Sequence, residues 1–124
     1  MADDSTAVEV FEQIVSAYNA HDLDAVYGFL APEYRQFANG TLHATGPTET
    51  RAADSVLYDL VPDYRREVLD LFGDGDRAIC RSRISGTTTD GGAFALEVAT
   101  VVRIESGQLV EAHLYFDIAS AFTP

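Results

Sequence analysis

The spacing of apolar residues changes once along this chain, at about Tyr64, and that change limits the folds open to it. Before Tyr64 apolar residues recur every three or four positions, as in helices with one buried face. After it they alternate with polar residues, as in strands whose two faces meet different surroundings. Helices followed by consecutive strands predict an α+β fold, and 124 residues suit one domain spanning residues 1–124.

Three helices are predicted in the first part of the chain. Thr6 and Glu9 fit a capping box at the start of the first. The pair Ala31-Pro32 should end the second, because the residue before a proline avoids the helical region. The predicted helices begin at Ser5-Thr6, Asp22 and Gly46 and end near His21, Ala31 and Val61.

Extended segments make up the rest. Residues 34–44 read as a hairpin around Asn39-Gly40, a dipeptide that favours a two-residue turn. After the third helix the pattern predicts an antiparallel meander with strands at 64–72, 77–86, 93–104 and 107–120.

The last predicted strand, 107–120, has the clearest alternation. One face holds Val110, Ala112, Leu114, Phe116 and Ile118, and the other holds Leu109, Glu111, His113, Tyr115 and Asp117. If Leu114 and Phe116 face the interior, strict alternation turns Asp117 outward unless a bulge or a strand end intervenes. The orientation of this polar row decides between a pocket and a subunit interface.

Five short motifs resemble, in order and spacing, the SnoaL-like group of the NTF2-like superfamily. They lie at residues 20–25, 30–33, 61–64, 75–78 and 107–111. The resemblance implies a cone, in which a curved antiparallel sheet wraps against about three N-terminal helices, and a homodimer formed through the sheet. Its members include polyketide cyclases, ketosteroid isomerases, limonene epoxide hydrolases and binding domains without catalysis, so the fold leaves the function open.

Two of these activities fit the chain poorly. The tyrosine and two aspartates of ketosteroid isomerases correspond to Ile14, Ala38 and Thr100. Of the arginine and two carboxylates of the epoxide hydrolases, the resemblance retains Arg81 alone. Both mechanisms are therefore disfavoured, and a diverged epoxide hydrolase is kept only as a third alternative.

The polyketide cyclases look most similar. Their last-strand motif matches Glu111 and Asp117, with His113 where a tryptophan is usual. The resemblance implies that Asp117 is the acid/base, and a carboxylate in an apolar cone has a raised pKa suited to that role. His113 is an assisting candidate, as a proton shuttle or a donor. The alternative is that both lie on the outer row in salt bridges or a dimer contact.

Eight further residues are candidate substrate-binding groups. They are Tyr34, His43, Tyr58, Arg81, Arg83, Thr100, Leu114 and Phe116. If buried, the two arginines need anionic partners, either Asp54, Glu97 or Asp117 or a ligand carboxylate. The tyrosines are either core residues or hydrogen-bond donors to a substrate.

The amino-acid composition limits the classes of molecule that the protein is expected to bind. A net charge of −12 disfavours nucleic acid and membrane surfaces. A single cysteine and three scattered histidines suggest no metal site, and the acidic start of the chain and the lone Cys80 suggest a cytoplasmic location.

The leading hypothesis is cofactor-free cyclisation or isomerisation of an apolar, carbonyl-bearing small molecule. The alternative is a dimeric ligand-binding or accessory domain without catalysis.

Overall fold

The computed structural model describes residues 6–122, so the acidic segment at residues 1–5 and the last two residues lie outside the described part. The predicted α+β fold is confirmed. The helices are α1 (Ala7–Asn19), α2 (Leu23–Gly28) and α3 (Gly46–Leu60). The strands are β1 (Leu30–Ala38), β2 (Thr41–Thr45), β3 (Arg65–Asp74), β4 (Arg77–Thr87), β5 (Ala93–Glu105) and β6 (Gln108–Tyr115), and a 3-10 helix follows at Ile118–Phe122.

The predicted helix starts at Thr6 and Asp22 are confirmed by their caps. The Thr6 hydroxyl accepts a hydrogen bond from the Glu9 amide at 3.2 Å, and Asp22 Oδ1 accepts one from the Ala25 amide at 3.1 Å. Each cap satisfies an amide that has no partner within its helix. Local sequence is therefore enough to position both helix starts.

Two predicted element ends are wrong. Helix α2 ends at Gly28, and Pro32 already lies in β1. The pairing of β1 with β6 is irregular between Leu30 and Arg35, so the proline, which lacks an amide hydrogen, sits where the ladder is interrupted. Strand β6 ends at Tyr115 and not near residue 120, because the chain turns there into the 3-10 helix.

The strands form one curved sheet in the order β2-β1-β6-β5-β4-β3. The predicted hairpin around Asn39-Gly40 is confirmed, and both residues have the positive φ angles, 50° and 87°, of a two-residue hairpin turn. All neighbouring strands are antiparallel except β1 and β6, which are parallel. This parallel pair brings the N-terminal hairpin beside the last strand.

The helices cover one face of the sheet, which we call the inner face, and the opposite face is the outer face. The alternation predicted for the last strand holds for Ala112 and Leu114, which face the core, and for Glu111 and His113, which face outward. It is wrong for Leu109, which belongs to the buried core. The register between β5 and β6 shifts next to Ile104, the partner of Leu109, and this bulge turns the side chain inward.

Within residues 6–122, no helix is long and apolar enough to span a membrane.

Candidate functional site

Two adjoining cavities lie between α3 and the inner face of the sheet. The larger, about 410 Å³, has a mainly apolar wall, and we call it the outer chamber. Its wall includes Leu57, Leu60, Phe94, Leu96, Phe116 and Phe122. The smaller, about 90 Å³, is lined by polar groups, and we call it the polar cavity. Both are lined by Gln36, Asp54, Leu57, Ile84 and Leu114, so they form one continuous site.

Asp54, on α3, lies where the two cavities meet. Its Oδ2 accepts hydrogen bonds from the hydroxyls of Tyr27, at 2.7 Å, and Tyr18, at 3.3 Å. Those tyrosines come from α2 and α1, so three helices converge on one carboxylate. Asp54 is the only Asp or Glu among the described residues that lines these cavities.

The pKa of Asp54 is raised above its ordinary value of 3.8 because burial penalises the charged form. Hydrogen bonds from Tyr27, Gln36 and Tyr18 and the charge of Arg66 act in the opposite direction but do not cancel it. A carboxyl group with a raised pKa exchanges protons closer to neutral pH than a surface aspartate does.

The tyrosines around Asp54 keep their protons. Burial, followed by the negative charge of Asp54, raises the pKa of Tyr18, Tyr27, Tyr34 and Tyr58. Each hydroxyl therefore stays a hydrogen-bond donor across the physiological range.

Arg66, on β3, brings a positive charge to the inner face. Its Nε donates to Ser82 Oγ at 2.9 Å, and its Nη2 donates to Thr100 Oγ1 at 3.3 Å. Its guanidinium also lies over the rings of Phe11 and Tyr18, at 5.7 Å from each centroid. None of the ion pairs among the described residues includes Arg66.

Six of the sequence-predicted site residues line this site. His43 and Phe116 line the outer chamber, and Tyr58 lines the polar cavity. Tyr34 and Thr100 line an adjoining cavity of about 40 Å³, and Leu114 borders all three. The Tyr34 hydroxyl is held by Gln36, whose Oε1 accepts its hydrogen bond at 2.7 Å.

The other four predicted site residues lie away from the cavities. His113 is on the outer face, stacked on Phe37 at 4.5 Å, with its Nε2 at 2.7 Å from Glu111 Oε1. Asp117 is exposed beyond the end of β6, where its Oδ1 accepts a hydrogen bond from the Ala119 amide.

Arg81 and Arg83 occupy the outer face as well. Arg81 is paired with Asp70 at 2.8 Å and with Glu97 at 2.9 Å, which confirms Glu97 among its predicted partners. Arg83 lies 4.0 Å from Glu67. Their charges are thus balanced by protein carboxylates in solvent-exposed pairs.

Sequence reasoning missed Asp54, Arg66, Gln36 and Tyr64 as site residues. One signal was present for Asp54. It falls one residue after Ala53 and three before Leu57, within the apolar stripe of α3, so a helical wheel places an acid at the edge of the buried face. An ionisable group at such a position needs buried partners, and here these are the two tyrosines.

The described residues, 6–122, contain no group of three or more His, Cys, Asp or Glu side chains arranged to hold a metal ion.

Comparison with known proteins identifies one matching family and many solved structures with a similar fold. The model of a family described as a SnoaL-like domain matches residues 11–112. A search of curated protein sequences found no significant match.

Two solved structures illustrate the similarity. IdmH from Streptomyces antibioticus, a proposed polyketide cyclase, is 18% identical, with a TM-score of 0.82 over 95% of this chain and 96% of that one. An NTF2-like protein from Burkholderia pseudomallei is 21% identical, with a TM-score of 0.81 over 97% and 99%. At these identities the likeness establishes the fold and leaves the chemistry to the residues of this chain.

Proposed function

Because the chain belongs to the SnoaL-like domain family, we propose that it catalyses cofactor-free proton transfer on an apolar, carbonyl-bearing small molecule, leading to ring closure or isomerisation. The body of the substrate occupies the outer chamber. Asp54 is the acid/base. The observation that carries the proposal is the position of this one carboxylate, with its raised pKa, at the junction of the apolar and polar cavities.

The chemistry is that of an enolisable carbonyl compound. The Asp54 carboxylate removes a proton from the carbon next to the carbonyl, and the electrons of that C–H bond move onto the carbonyl oxygen to form an enolate. In isomerisation the substrate also carries a C=C bond between the β and γ carbons, so a dienolate forms; its γ carbon takes the proton back from Asp54, and the double bond moves to the α,β position. In ring closure the enolate attacks a second carbonyl carbon of the same molecule, whose oxygen then accepts the proton from Asp54.

The neighbours of Asp54 suit this cycle. Tyr27 and Tyr18 both donate to Oδ2, so they fix the orientation of the carboxylate. Gln36 also donates a hydrogen bond to the Asp54 carboxylate, so side chains from the helices and from β1 hold it where the two cavities meet. The apolar wall of the chamber excludes water from the enolate.

Asp117 is the competing assignment, since the polyketide cyclase resemblance gives that residue the acid/base role. Asp117 is exposed beyond the end of β6 and lines none of the three cavities, which favours Asp54. A further alternative is ligand binding without catalysis. The hydroxyls of Tyr18 and Tyr27 favour it, because they give the Asp54 carboxylate hydrogen bonds within the protein that need no substrate.

The deciding experiment measures solvent deuterium exchange next to the carbonyl of 2-tetralone, by proton NMR in heavy water. We expect the wild-type protein to accelerate exchange above buffer and Asp54→Asn to lose about 100-fold or more of that acceleration. Asp59→Asn is the matched control, since Asp59 is exposed on the same helix. Loss of exchange in Asp117→Asn with full exchange in Asp54→Asn would assign the role to Asp117. Binding of 2-tetralone without exchange would favour the non-catalytic alternative.

We also propose that the protein forms a cytoplasmic homodimer through the outer face. The support is a group of exposed apolar side chains on that face, Phe72, Ile79 and Tyr115, which lie between charged side chains. Sedimentation of the wild type and of Ile79→Glu tests this. A dimer that Ile79→Glu converts to a monomer is the expected result, and a monomeric wild type would contradict the proposal.

A further inference from the structure

The hydroxyl of Tyr64 has no hydrogen-bond partner, although Tyr64 is only 5% exposed. It is the one buried side-chain polar atom in that condition within residues 6–122. Tyr64 lines the polar cavity together with Asp54. Buried hydroxyls in folded proteins are normally satisfied, so an orphaned one beside a cavity indicates a partner that binds there.

The ring of Tyr64 is held firmly without help from its hydroxyl. It stacks on His21, with centroids 4.3 Å apart and planes 2° apart, and on Tyr58, at 4.7 Å and 28°. The carbonyl oxygen of Tyr64 is also 2.9 Å from Nε2 of His21. The direction of the hydroxyl is therefore set by packing and is ready before a ligand arrives.

The preceding turn fixes the backbone of Tyr64 against β4. A Cβ atom at Gly86 would lie 2.5 Å from Val61 Cγ1 and 2.6 Å from Asp63 Oδ1, so only glycine lets the chain pass this closely. Asp63 Oδ1 in turn accepts a hydrogen bond from the Thr87 amide at 2.7 Å. The start of β3 is thereby attached to β4 on both sides of Gly86.

Arg66 lies two residues further along β3 and lines the same cavity. A guanidinium has five N–H donors, and contacts with Ser82 and Thr100 account for two of them. Its side chain therefore brings spare donors and a positive charge to the cavity that Tyr64 also lines. Burial, followed by the charge of Asp54, raises the pKa of Tyr64, so its hydroxyl keeps the proton that it would donate.

We propose that Tyr64 binds the oxygen of the substrate, with Arg66 supplying the adjacent positive charge, so that the ligand enters with its oxygen inward and its apolar body in the outer chamber. The ligand class is an apolar ring system that carries one hydrogen-bond-accepting carbonyl oxygen at one end. A cavity of about 90 Å³ suits that polar end, and about 410 Å³ suits the body.

We call Tyr64 and Arg66 together the oxygen site. Its chemical role rests on the proposed function, in which negative charge develops on the carbonyl oxygen as Asp54 removes the neighbouring proton. A hydroxyl and a guanidinium aimed at that oxygen stabilise the enolate more than the ketone. The orientation of the ligand does not depend on catalysis and is tested by binding alone.

The experiment compares two ligands of nearly the same shape, 2-tetralone and tetralin, which lacks the oxygen. Dissociation constants are measured by titration calorimetry for the wild type, Tyr64→Phe and Tyr115→Phe. Tyr115 is 47% exposed on the outer face, so it is the matched control for removal of a tyrosine hydroxyl. Thermal unfolding of each variant checks the fold, and Tyr64→Phe should unfold no earlier than the wild type because it loses no internal hydrogen bond.

We expect the wild type to bind 2-tetralone about 3- to 10-fold more tightly than tetralin, and Tyr64→Phe to lose that preference while tetralin binding is unchanged. Tyr115→Phe should keep it. An equal preference in the wild type and Tyr64→Phe would overturn the proposal, as would a wild type that binds neither ligand or does not distinguish them. If the preference depends on Tyr64 but the wild type exchanges no deuterium, the oxygen site stands and the proposed catalysis fails.

Discussion

The two faces of the sheet use their polar groups differently. On the outer face each charge in the row beside β6 has a partner. Glu111 pairs with Arg35 at 2.8 Å and with His113 at 2.7 Å, and it lies 3.8 Å from Arg103. On the inner face Asp54 and Arg66 form no ion pair with each other, and the Tyr64 hydroxyl has no partner.

This difference indicates where function is located. The polar row of the last strand is the most conspicuous pattern in the sequence, but in the structure its members mainly satisfy one another. The inner groups are fewer, come from distant segments, and keep unused hydrogen-bonding capacity beside a cavity. A buried polar group without a hydrogen bond destabilises the fold. Such a group is therefore a better indicator of a binding site than a polar group whose hydrogen bonds are all made within the protein.

The largest expected contrast between the faces is in the pH dependence of turnover. Since burial raises the pKa of Asp54 above 3.8, its reactive carboxylate form is depleted as the pH falls through that raised pKa. Exchange of 2-tetralone should then decrease about tenfold for each further pH unit, and the decrease should begin above pH 3.8. Rates measured from pH 3.5 to 8 test this. A profile without a decrease above pH 4 would exclude Asp54 as the base.

The next contrast compares how much the free energy of unfolding falls when a tyrosine hydroxyl is removed beside Asp54 and when one is removed on the outer face. Tyr27→Phe removes the 2.7 Å hydrogen bond to the partly buried Asp54 carboxylate, and we expect a loss of about 1.5–3 kcal/mol. Tyr115→Phe on the outer face should change stability by less than about 0.5 kcal/mol. Urea titration of both variants at pH 7 provides the comparison. Equal effects would show that the inner hydrogen bonds contribute no more than exposed groups do.

A third contrast concerns stability against pH. Because the folded-state pKa of Asp54 is raised, its contribution is complete below its ordinary pKa of 3.8 and is lost as the pH rises through the folded value. In that window the wild type should lose up to about 1.4 kcal/mol per pH unit relative to Asp54→Asn. Glu111→Gln should show the opposite sign, since hydrogen bonds from His113 and Arg35 lower the pKa of Glu111. Urea titrations at several pH values measure both differences.

The smallest expected effect is from the exposed ion pairs. Arg81→Gln breaks contacts with Asp70 and Glu97, but its side chain is 47% exposed, so solvent and salt screen the charges. We expect the smallest loss of stability among these variants, and the loss should decrease further in 0.5 M salt. A loss as large as that of Tyr27→Phe in the same urea titration would show that the exposed ion pairs stabilise the fold as strongly as the buried hydrogen bonds do.

Local sequence was sufficient for most of the fold and for part of the site. The caps at Thr6 and Asp22 and the Asn39-Gly40 turn are short-range interactions, so residues a few positions apart determine them. Alternation likewise separated Leu114, which lines the cavities, from Glu111 and His113. It failed at Leu109, because a bulge changes the face of a side chain without changing the residue pattern.

By itself, the sequence determined the α+β class, the helix starts, the strand order along the chain and the family, because periodicity and caps act over a few residues. Only the tertiary structure decided that Asp54 meets Tyr27 and Tyr18, which are 27 and 36 positions away in the chain. The parallel pairing of β1 with β6 and the unpartnered hydroxyl of Tyr64 were decided there as well. These features depend on which distant segments are brought together, and on which buried groups are then left without a partner.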